Sequence, residues 1–479
     1  MLLSEASLRY PTGCLTEDST ILSSRSPHRP TLRRILGTVT VVCVGVGTAI
    51  GSGVFRTPGE VAALISSPWV ILGLWLVAGL ITLMQSLVTA ELATRLPKAG
   101  GEYQFLKAAY GDFAAFFFGW SCTVFIIGGG AGTIAAALGD FAAELFRLKP
   151  SWASPLFGCL AIVGVTAVNV LGLKSGAVAQ NLLTLLKAVA LLAIAAAAMW
   201  LASRAFPAAD AATTVTRSDL GFNTLLLALL PVFWSYTGAT DAVRLAEEVK
   251  DAQRAMPRAL LMTVAILTGV YLLYNYALLC ALSPDQMAGQ PSVHALALAP
   301  LRGETVRIMV LAASILVCLG SISGVFLGSV RVTYALARDG LAFRRLARMS
   351  GAQAPVASFL VVGAIACGFV LNRKFEDILK IYFLASAFLF GLTYLSLIVF
   401  RARDRRAGRP FPAGVYRAPF GQWQATALVL LELAIAASII RSDWQSGSVD
   451  SLLTLGLLAG MAVFYLFWKR VAASERRGA

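Results

Sequence analysis

Long apolar segments recur along the whole chain, and they restrict its possible folds more than any other feature of the sequence. Segments such as 70–92, 157–173, 186–202, 309–332 and 452–468 are each about 20 residues long, enough for a helix to cross the ~30 Å hydrocarbon core of a bilayer. Only 14% of the residues are charged, against about a quarter in soluble domains. We therefore predict an all-α polytopic membrane protein with about twelve transmembrane helices, embedded in a lipid bilayer.

The net charge of +15 at pH 7 could point to nucleic acid, but the distribution of the basic residues does not. If the N-terminus lies in the cytoplasm and the spans alternate, the basic clusters 331–348, 401–417 and 469–477 all fall on the cytoplasmic side. This is the positive-inside bias of membrane proteins. We predict no nucleic-acid partner, a multi-pass protein of the cell (plasma) membrane, and both termini in the cytoplasm, with residues 1–34 disordered and 471–479 as a tail.

The residue types that usually carry catalysis or hold metals are scarce. The seven cysteines show no metal-type spacing, and the two histidines, His28 and His294, lie outside the predicted spans. We expect no metal, no cofactor and no enzymatic activity.

Two of the apolar segments are interrupted by glycine and small polar residues at mid-membrane depth. The first interruption is 47–53 (GTAIGSG) and the second is 235–240 (SYTGAT), so we predict that the first and sixth helices are broken. Five spans fall in residues 35–204 and five in 221–401, with two appended helices in 422–470. An odd number makes the second set enter the membrane from the opposite side, which predicts a five-plus-five inverted repeat.

A broken transmembrane helix exposes free N–H groups at the start of one half and free carbonyls at the end of the other. The N–H groups suit a carboxylate, and the carbonyls suit an ammonium group. An α-amino acid carries both charges a few ångströms apart, so two facing breaks are able to bind it without a charged side chain. A glycine-rich packing kink is the alternative, and it explains one break better than a matched pair.

Four motifs follow one another along the chain: Gly47-Thr-Ala-Ile-Gly-Ser-Gly-Val-Phe55, Gly100-Gly-Glu-Tyr103, Glu247-Glu-Val-Lys250, and Ser329 to Gly340 with Arg331 and Ala337-Arg-Asp-Gly340. In this order they resemble the amino acid–polyamine–organocation superfamily, in particular its L-type amino acid transporter branch and bacterial relatives. The resemblance covers roughly residues 36–420. It implies a sodium-independent transporter that moves an amino acid by alternating access, as an exchanger or a proton-coupled carrier.

The resemblance also implies a set of binding residues. The substrate carboxylate would meet the N–H groups of Gly51, Ser52 and Gly53. The α-amino group would meet the carbonyls of Ala49, Trp234 and Thr237, with the Trp234 ring closing over the substrate from outside. The side-chain pocket would comprise Phe125, Ile126, Gly130, Ala239, Thr240, Ser321 and Tyr382. Because several pocket positions are small, we expect a small to medium neutral substrate.

Lys187 lies inside an apolar span, where an unpaired ammonium group is energetically costly. An ionisable residue in such a position suggests a functional role. The resemblance implies that it substitutes for the sodium ion of sodium-coupled relatives. In that role it would bind carbonyls near Thr48 or Ala49 in the first break, and Ser323 in the eighth helix. The alternative is a lysine that snorkels to the membrane interface.

Asp241 directly follows the second break, where the family usually has an uncharged residue. It is interpreted either as an i,i+3 ion pair with Arg244 or as a coupling carboxylate that titrates or selects cations. The alternative function, a polyamine or organic-cation transporter, needs Asp241 or another acidic residue turned into the pocket. Glu432, in an appended helix, is predicted to make a lateral or oligomer contact.

The loop 147–154 lacks the cysteine by which animal members of the superfamily attach a glycoprotein. We therefore expect no disulfide-linked heavy subunit.

Overall fold

Helices follow one another along nearly the whole of the computed structural model, which describes residues 32–205, 221–290, 292–301, 303–372 and 375–477. In that part of the chain, ten helices are long and apolar enough to cross a membrane, and a bent pair of shorter helices makes an eleventh span. A further apolar helix, Val356–Asn372, has 17 residues. The prediction of an all-α polytopic membrane protein is confirmed.

The α-helices of the first part are α1 (Thr38–Ala49), α2 (Gly53–Leu64), α3 (Pro68–Arg95), α4 (Glu102–Tyr110), α5 (Asp112–Ser121), α6 (Gly130–Leu145), α7 (Ala153–Val170) and α8 (Leu173–Ala205). A π-helical stretch, Cys122–Gly129, joins α5 to α6 into one span. Because α1 and α2 together form one span and α4 is too short to cross a bilayer, this part contributes five spans, as predicted.

The second part contains α9 (Phe222–Tyr236), α10 (Ala252–Ala281), α11 (Pro284–Met287), α12 (Val293–Leu298), α13 (Glu304–Arg338), α14 (Val356–Asn372), α15 (Phe375–Arg406), α16 (Gly421–Ser446) and α17 (Asp450–Arg477). The 3-10 helices are Asp241–Glu248, Ala299–Leu301 and Arg344–Ala347. The two-fold relation between the halves, and the division into 35–204, 221–401 and 422–470, stay predictions.

Predictions for the two ends of the chain fare differently. Residues 1–31 of the predicted disordered segment lie outside the described residues. At the other end, α17 continues to Arg477, past the predicted start of the tail at residue 471. The residues beyond 470 include Ala, Glu and Arg, which are strong helix formers, so the helix does not need hydrocarbon around it to continue.

The first break separates α1 from α2 by three residues and bends the pair by 43°. Ile50 leaves the helical conformation with a ψ of 94°, and its N–H still bonds the Val46 carbonyl at 2.9 Å. The following residues, Gly51-Ser-Gly53, include two glycines, which cost about 1 kcal/mol each in a helix relative to alanine. The sequence therefore favours ending one helix here and starting another.

The second break begins where α9 ends at Tyr236. Thr237 turns out of the helix with a ψ of 136°, and Gly238 has a φ of +97°, a conformation that favours glycine. A Cβ at Gly238 would also lie 3.0 Å from the Cβ of Thr48 in the first break. The backbone resumes as a 3-10 helix at Asp241, so the sixth span is broken as predicted.

The two broken spans occupy the interior of the bundle. Helix α1 packs against α8, α10 and α13, and α2 packs against α9. A short parallel bridge joins Leu36, just before α1, to Val249, just after the 3-10 helix. In this bridge the Lys250 N–H donates to the Leu36 carbonyl at 2.9 Å. The start of the first broken span is therefore hydrogen-bonded to the end of the second.

Candidate functional site

The two breaks meet face to face at a small cavity of about 30 Å³. Its walls are the first break and second break, the π-helical stretch with the start of α6, the middle of α13, and one ring from α15. The breaks touch directly, because a Cβ at Gly53 would lie 3.1 Å from the Ser235 Cα. A cavity of this size holds a few water molecules, so an amino acid needs the walls to separate.

Most of the predicted binding residues line this cavity, and some do not. Those that line it are Ala49, Gly53, Ile126, Gly130, Trp234, Thr237 and Tyr382, together with Asp241. Ala239 and Thr240 line a second cavity behind the second break. Gly51, Ser52, Phe125 and Ser321 are buried but border neither cavity.

The sequence interpretation missed Thr48, Ile134, Gly238, Val325 and Ser329, which also line the first cavity. Val325 and Ser329 follow Ser321 at intervals of four residues, so all three lie on one face of α13. That spacing was the available signal. Thr48 and Gly238 lie within the predicted breaks themselves.

The N–H groups at the first break have no acceptor among the residues that the structure describes. Within the described residues, those of Gly51, Ser52 and Gly53 donate no hydrogen bond, and Ser52 offers no side-chain cap. They lie at the N-terminal end of α2, where the helix dipole adds partial positive charge. This end of α2 is thus suited to an anion such as a carboxylate.

The carbonyls at the second break are mostly engaged. Thr237 N–H is shared between the carbonyls of Phe233 and Trp234, at 3.0 and 3.1 Å. The Tyr271 hydroxyl donates to the Ser235 carbonyl at 2.6 Å. The Trp234 carbonyl keeps one lone pair for a further donor, since a carbonyl oxygen has two.

The ring of Trp234 lines the cavity beside the aromatic residues of α15. It packs edge-on against Tyr382, with ring centroids 5.1 Å apart, and against Phe383 at 6.1 Å. On the other side, the Thr57 hydroxyl donates to the Pro231 carbonyl at 2.8 Å and holds α2 against α9. The ring therefore packs against α15, while α9, which carries it, is hydrogen-bonded to α2.

Lys187 is fully buried and binds the end of α1. Its Nζ donates to the carbonyls of Gly47 and Ile50, the latter at 2.8 Å, and to Ser321 Oγ at 3.2 Å. Ser321 in turn donates to the Ile50 carbonyl at 2.6 Å. The ammonium group and the hydroxyl together satisfy carbonyls that the break leaves without helical partners, and a snorkelling lysine is excluded.

The predicted partners of Lys187 need correction. The structure places Ser321 beside the ammonium group, whereas the Ser323 hydroxyl is buried without a hydrogen-bond partner in the described part of the chain. Two residues correspond to about 200° of rotation around a helix, so the two serines face opposite sides of α13. The carbonyls bound are those of Gly47 and Ile50, which flank the predicted Thr48 and Ala49.

A row of glycines lets α13 approach these groups closely. A Cβ at Gly320 would lie 3.1 Å from Lys187 Nζ, and one at Gly324 would lie 3.1 Å from the Thr48 Cα. One turn further on, a Cβ at Gly328 would lie 3.5 Å from the Asp241 carbonyl. One face of α13 thus touches the lysine, the first break and the second break in succession.

Asp241 forms an i,i+3 ion pair with Arg244, which is one of the two roles that the sequence suggested for it. Arg244, which has no exposed side-chain surface, contacts Asp241 Oδ1 at 2.9 Å and Glu102 at 2.9 Å, and donates to the Ser329 hydroxyl. Ser329 donates to Asp241 Oδ2 at 3.1 Å. Burial raises the pKa of Glu102, and Arg244 opposes that rise.

Two further ion pairs flank this network on the predicted cytoplasmic side. Arg331 contacts Glu248 at 3.2 Å, and Arg338 contacts Glu247 at 2.9 Å. They join α13 to the 3-10 helix that follows the second break. Arg244 and these pairs therefore hold the predicted cytoplasmic end of the site closed.

We expect Arg244→Ala to lower the free energy of unfolding by about 3–5 kcal/mol, because it leaves two buried carboxylates without a counter-ion. The matched control is Arg254→Ala, whose side chain is 80% exposed beside Asp251, and it should change stability by less than about 1 kcal/mol. Thermal unfolding of the purified variants measures both. Equal stability of the two variants would contradict the buried network.

Among the described residues, the opposite end of the site is closed by fewer ion pairs than the predicted cytoplasmic end. Arg56, in α2, contacts Asp140 of α6 at 2.8 Å, and the Asp140 side chain is half exposed. Phe55 stacks on His294, with ring centroids 4.3 Å apart, and burial lowers the pKa of His294 to about 3. The histidine is therefore neutral at physiological pH.

A second cavity of about 60 Å³ lies between α3, the second break, α15 and α16. It shares Thr237, Gly238, Asp241 and Tyr382 with the first cavity, so these residues form the wall between the two. Glu432 of α16 lines it and is 8% exposed. The prediction that Glu432 faces outward to a lateral or oligomer contact is wrong, because α16 turns this residue towards the bundle.

A helical bundle of membrane spans, two facing helix breaks and a buried lysine that joins one break to α13 are features of a membrane transporter with its site between broken helices. The chain belongs to the amino acid permease family, whose model matches residues 36–464.

Individual relatives align over most of the chain. It is 27% identical over 453 residues to the serine/threonine exchanger SteT of Bacillus subtilis, covering 92% of this chain and 98% of that protein. It is 25% identical over 461 residues to the b(0,+)-type amino acid transporter 1 of Rattus norvegicus, covering 94% and 91%. An uncharacterized transporter of Mycobacterium tuberculosis is 31% identical over 341 residues, covering 70% and 73%.

Proposed function

We propose that this protein carries an amino acid across the cell membrane by alternating access, without sodium, as an exchanger or a proton-coupled carrier. Both termini would lie in the cytoplasm, and no covalently attached heavy subunit would be needed. The observation that carries the proposal is the first break: Lys187 binds the carbonyls at the end of α1, while the N–H groups at the start of α2 have no acceptor in the part of the chain that the structure describes.

Recognition of the substrate would divide between the two breaks. The carboxylate accepts hydrogen bonds from Gly51, Ser52 and Gly53, and the α-ammonium group donates to carbonyls of Ala49, Trp234 and Thr237. Both charged groups then meet main-chain dipoles of matching sign, which offsets the cost of taking them out of water. The Trp234 ring covers the bound amino acid from the predicted outer side.

Alternating access would follow from the two closures. The ion pairs of Arg244, Arg331 and Arg338 hold the predicted cytoplasmic end shut, whereas Arg56–Asp140 joins α2 to α6 at the other end. Opening one end while the other stays closed exposes the site to one side of the membrane at a time. The rigid link from Lys187 through Ser321 would keep α1 and α13 moving together.

The walls favour small to medium neutral substrates. A Cβ at Gly130 would lie 3.3 Å from the Tyr382 ring, so side-chain space at this point is limited. One relative, the serine/threonine exchanger of Bacillus subtilis, is named for substrates of this kind.

We expect serine, threonine or alanine to compete for uptake into proteoliposomes at concentrations at least ~10-fold lower than lysine or arginine, a difference of about 1.4 kcal/mol. Competition against a radiolabelled neutral amino acid measures this. Potent competition by lysine or arginine would instead favour a carrier of cationic substrates.

Transport of a polyamine or organic cation is the second candidate function, and one observation favours it. Glu432 is an acidic residue turned into a cavity next to the site, which is the feature that this alternative requires.

A further inference from the structure

The second cavity combines a buried carboxylate with a wall of aromatic rings. Glu432 lies on the inward face of α16, in helical register with Leu428, Ile435 and Ile439, all buried. Among the described residues, no hydrogen bond or ion pair involves the Glu432 carboxylate. The described residues that line the cavity include one other acidic side chain, that of Asp241. Asp241 is already held by Arg244 and Ser329.

Two basic residues of the neighbouring helix α15 are engaged elsewhere. Lys380 of α15 contacts Asp443, which lies eleven residues along α16 from Glu432, about 16 Å at 1.5 Å per residue. Arg401 of α15 binds Glu91 and the Ala418 carbonyl. A carboxylate buried in a membrane protein without a counter-ion is costly and is usually functional.

The other walls suit a cation. Tyr236, Tyr382, Phe383, Phe390 and Tyr394 line the cavity, and the faces of aromatic rings attract ammonium groups. Thr82 and Ser386 contribute hydroxyls. A carboxylate with several rings around it is the arrangement that recognises an organic ammonium ion.

We propose that the second cavity binds a primary ammonium group, with Glu432 as its counter-ion. The wall shared with the first cavity allows two sources of that group. The first source is the end of a long basic side chain of an amino acid whose α-carboxylate and α-ammonium groups occupy the breaks, and this alternative rests on the proposed function. The second source is a separate amine, and this alternative is independent of the proposed function.

The test uses the full-length protein in lipid nanodiscs and three probes: n-butylammonium, L-lysine and L-serine. Ligand binding is measured by thermal shift and calorimetry for the wild type and Glu432→Gln. The matched control is Glu144→Gln, which removes an exposed carboxylate outside the cavity. Thr82→Leu, which places a larger side chain at another lining residue and leaves Glu432 intact, is the second variant.

We expect wild type and Glu144→Gln to bind n-butylammonium or L-lysine, and both Glu432→Gln and Thr82→Leu to lose at least tenfold in affinity. Binding of n-butylammonium assigns the site to a separate amine, and binding of L-lysine alone assigns it to a substrate side chain. The proposal is overturned if neither amine binds the wild type, or if Glu432→Gln binds them with unchanged affinity. L-serine tests the breaks separately. If the wild type does not bind L-serine, the result counts against the proposed function and not against the ammonium site.

Discussion

Gly53→Val is expected to abolish amino acid uptake, with a loss of at least ~100-fold that corresponds to about 2.8 kcal/mol. A Cβ at this position would lie 2.8 Å from Trp234 Cδ1 and 2.8 Å from Ser235 Oγ, and 3.1 Å from the Ser235 Cα. The last of these atoms is backbone and cannot rotate away. The added side chain would therefore push the two breaks apart and displace the N–H groups that we propose to bind the carboxylate.

The measurement is initial uptake into proteoliposomes, with binding followed by thermal shift. Gly164→Val is the matched control, because a Cβ there meets nothing within 4 Å. It should retain near-normal uptake. Gly53→Ala, with a smaller side chain, should fall between the two. Near-wild-type uptake by Gly53→Val would refute the assignment of the first break.

Lys187→Ala is expected to lower turnover by roughly two orders of magnitude, while the protein still inserts into the membrane. The substitution leaves the single hydroxyl hydrogen of Ser321 to serve both the Gly47 and the Ile50 carbonyl, so one buried acceptor loses its donor, at a cost of about 1–3 kcal/mol. It also removes the link from α1 to α13. Wild-type transport should be indifferent to replacing sodium with choline, since we propose that the ammonium group takes the place of the sodium ion of sodium-coupled relatives.

The control for this experiment is Lys174→Ala, which removes an exposed lysine from the same helix. Its transport should match that of the wild type. Normal turnover by Lys187→Ala, or a clear sodium requirement in the wild type, would show that the charge has another role.

The breaks and the buried lysine could be predicted from sequence, because each departs from the pattern of an uncharged, continuous apolar helix that is expected of a membrane span. Gly51-Ser-Gly53 and Gly238 interrupt apolar segments that should continue as helices, and Lys187 places a charge where hydrocarbon is expected. These violations depend on composition and depth alone. They can therefore be identified without knowing how the helices pack.

The direction in which individual side chains point was less accessible. Ser321 and Ser323 both lie in an apolar helix that is buried on most sides, so nothing in the sequence shows which serine faces Lys187. Glu432 was assigned to the wrong face of α16 for a related reason. Lipid is as apolar as the bundle interior, so hydrophobic periodicity does not distinguish the two faces of a membrane helix.

The main-chain recognition that we propose for the breaks would have an evolutionary consequence. A point mutation exchanges a side chain but leaves peptide N–H and carbonyl groups in place, so the requirement for an α-amino acid would withstand most substitutions. The lining residues Ile126, Gly130 and Tyr382 would be affected directly, and changes there would alter which side chain is accepted. A lineage of such proteins is thus free to diversify its substrates one residue at a time without rebuilding the site.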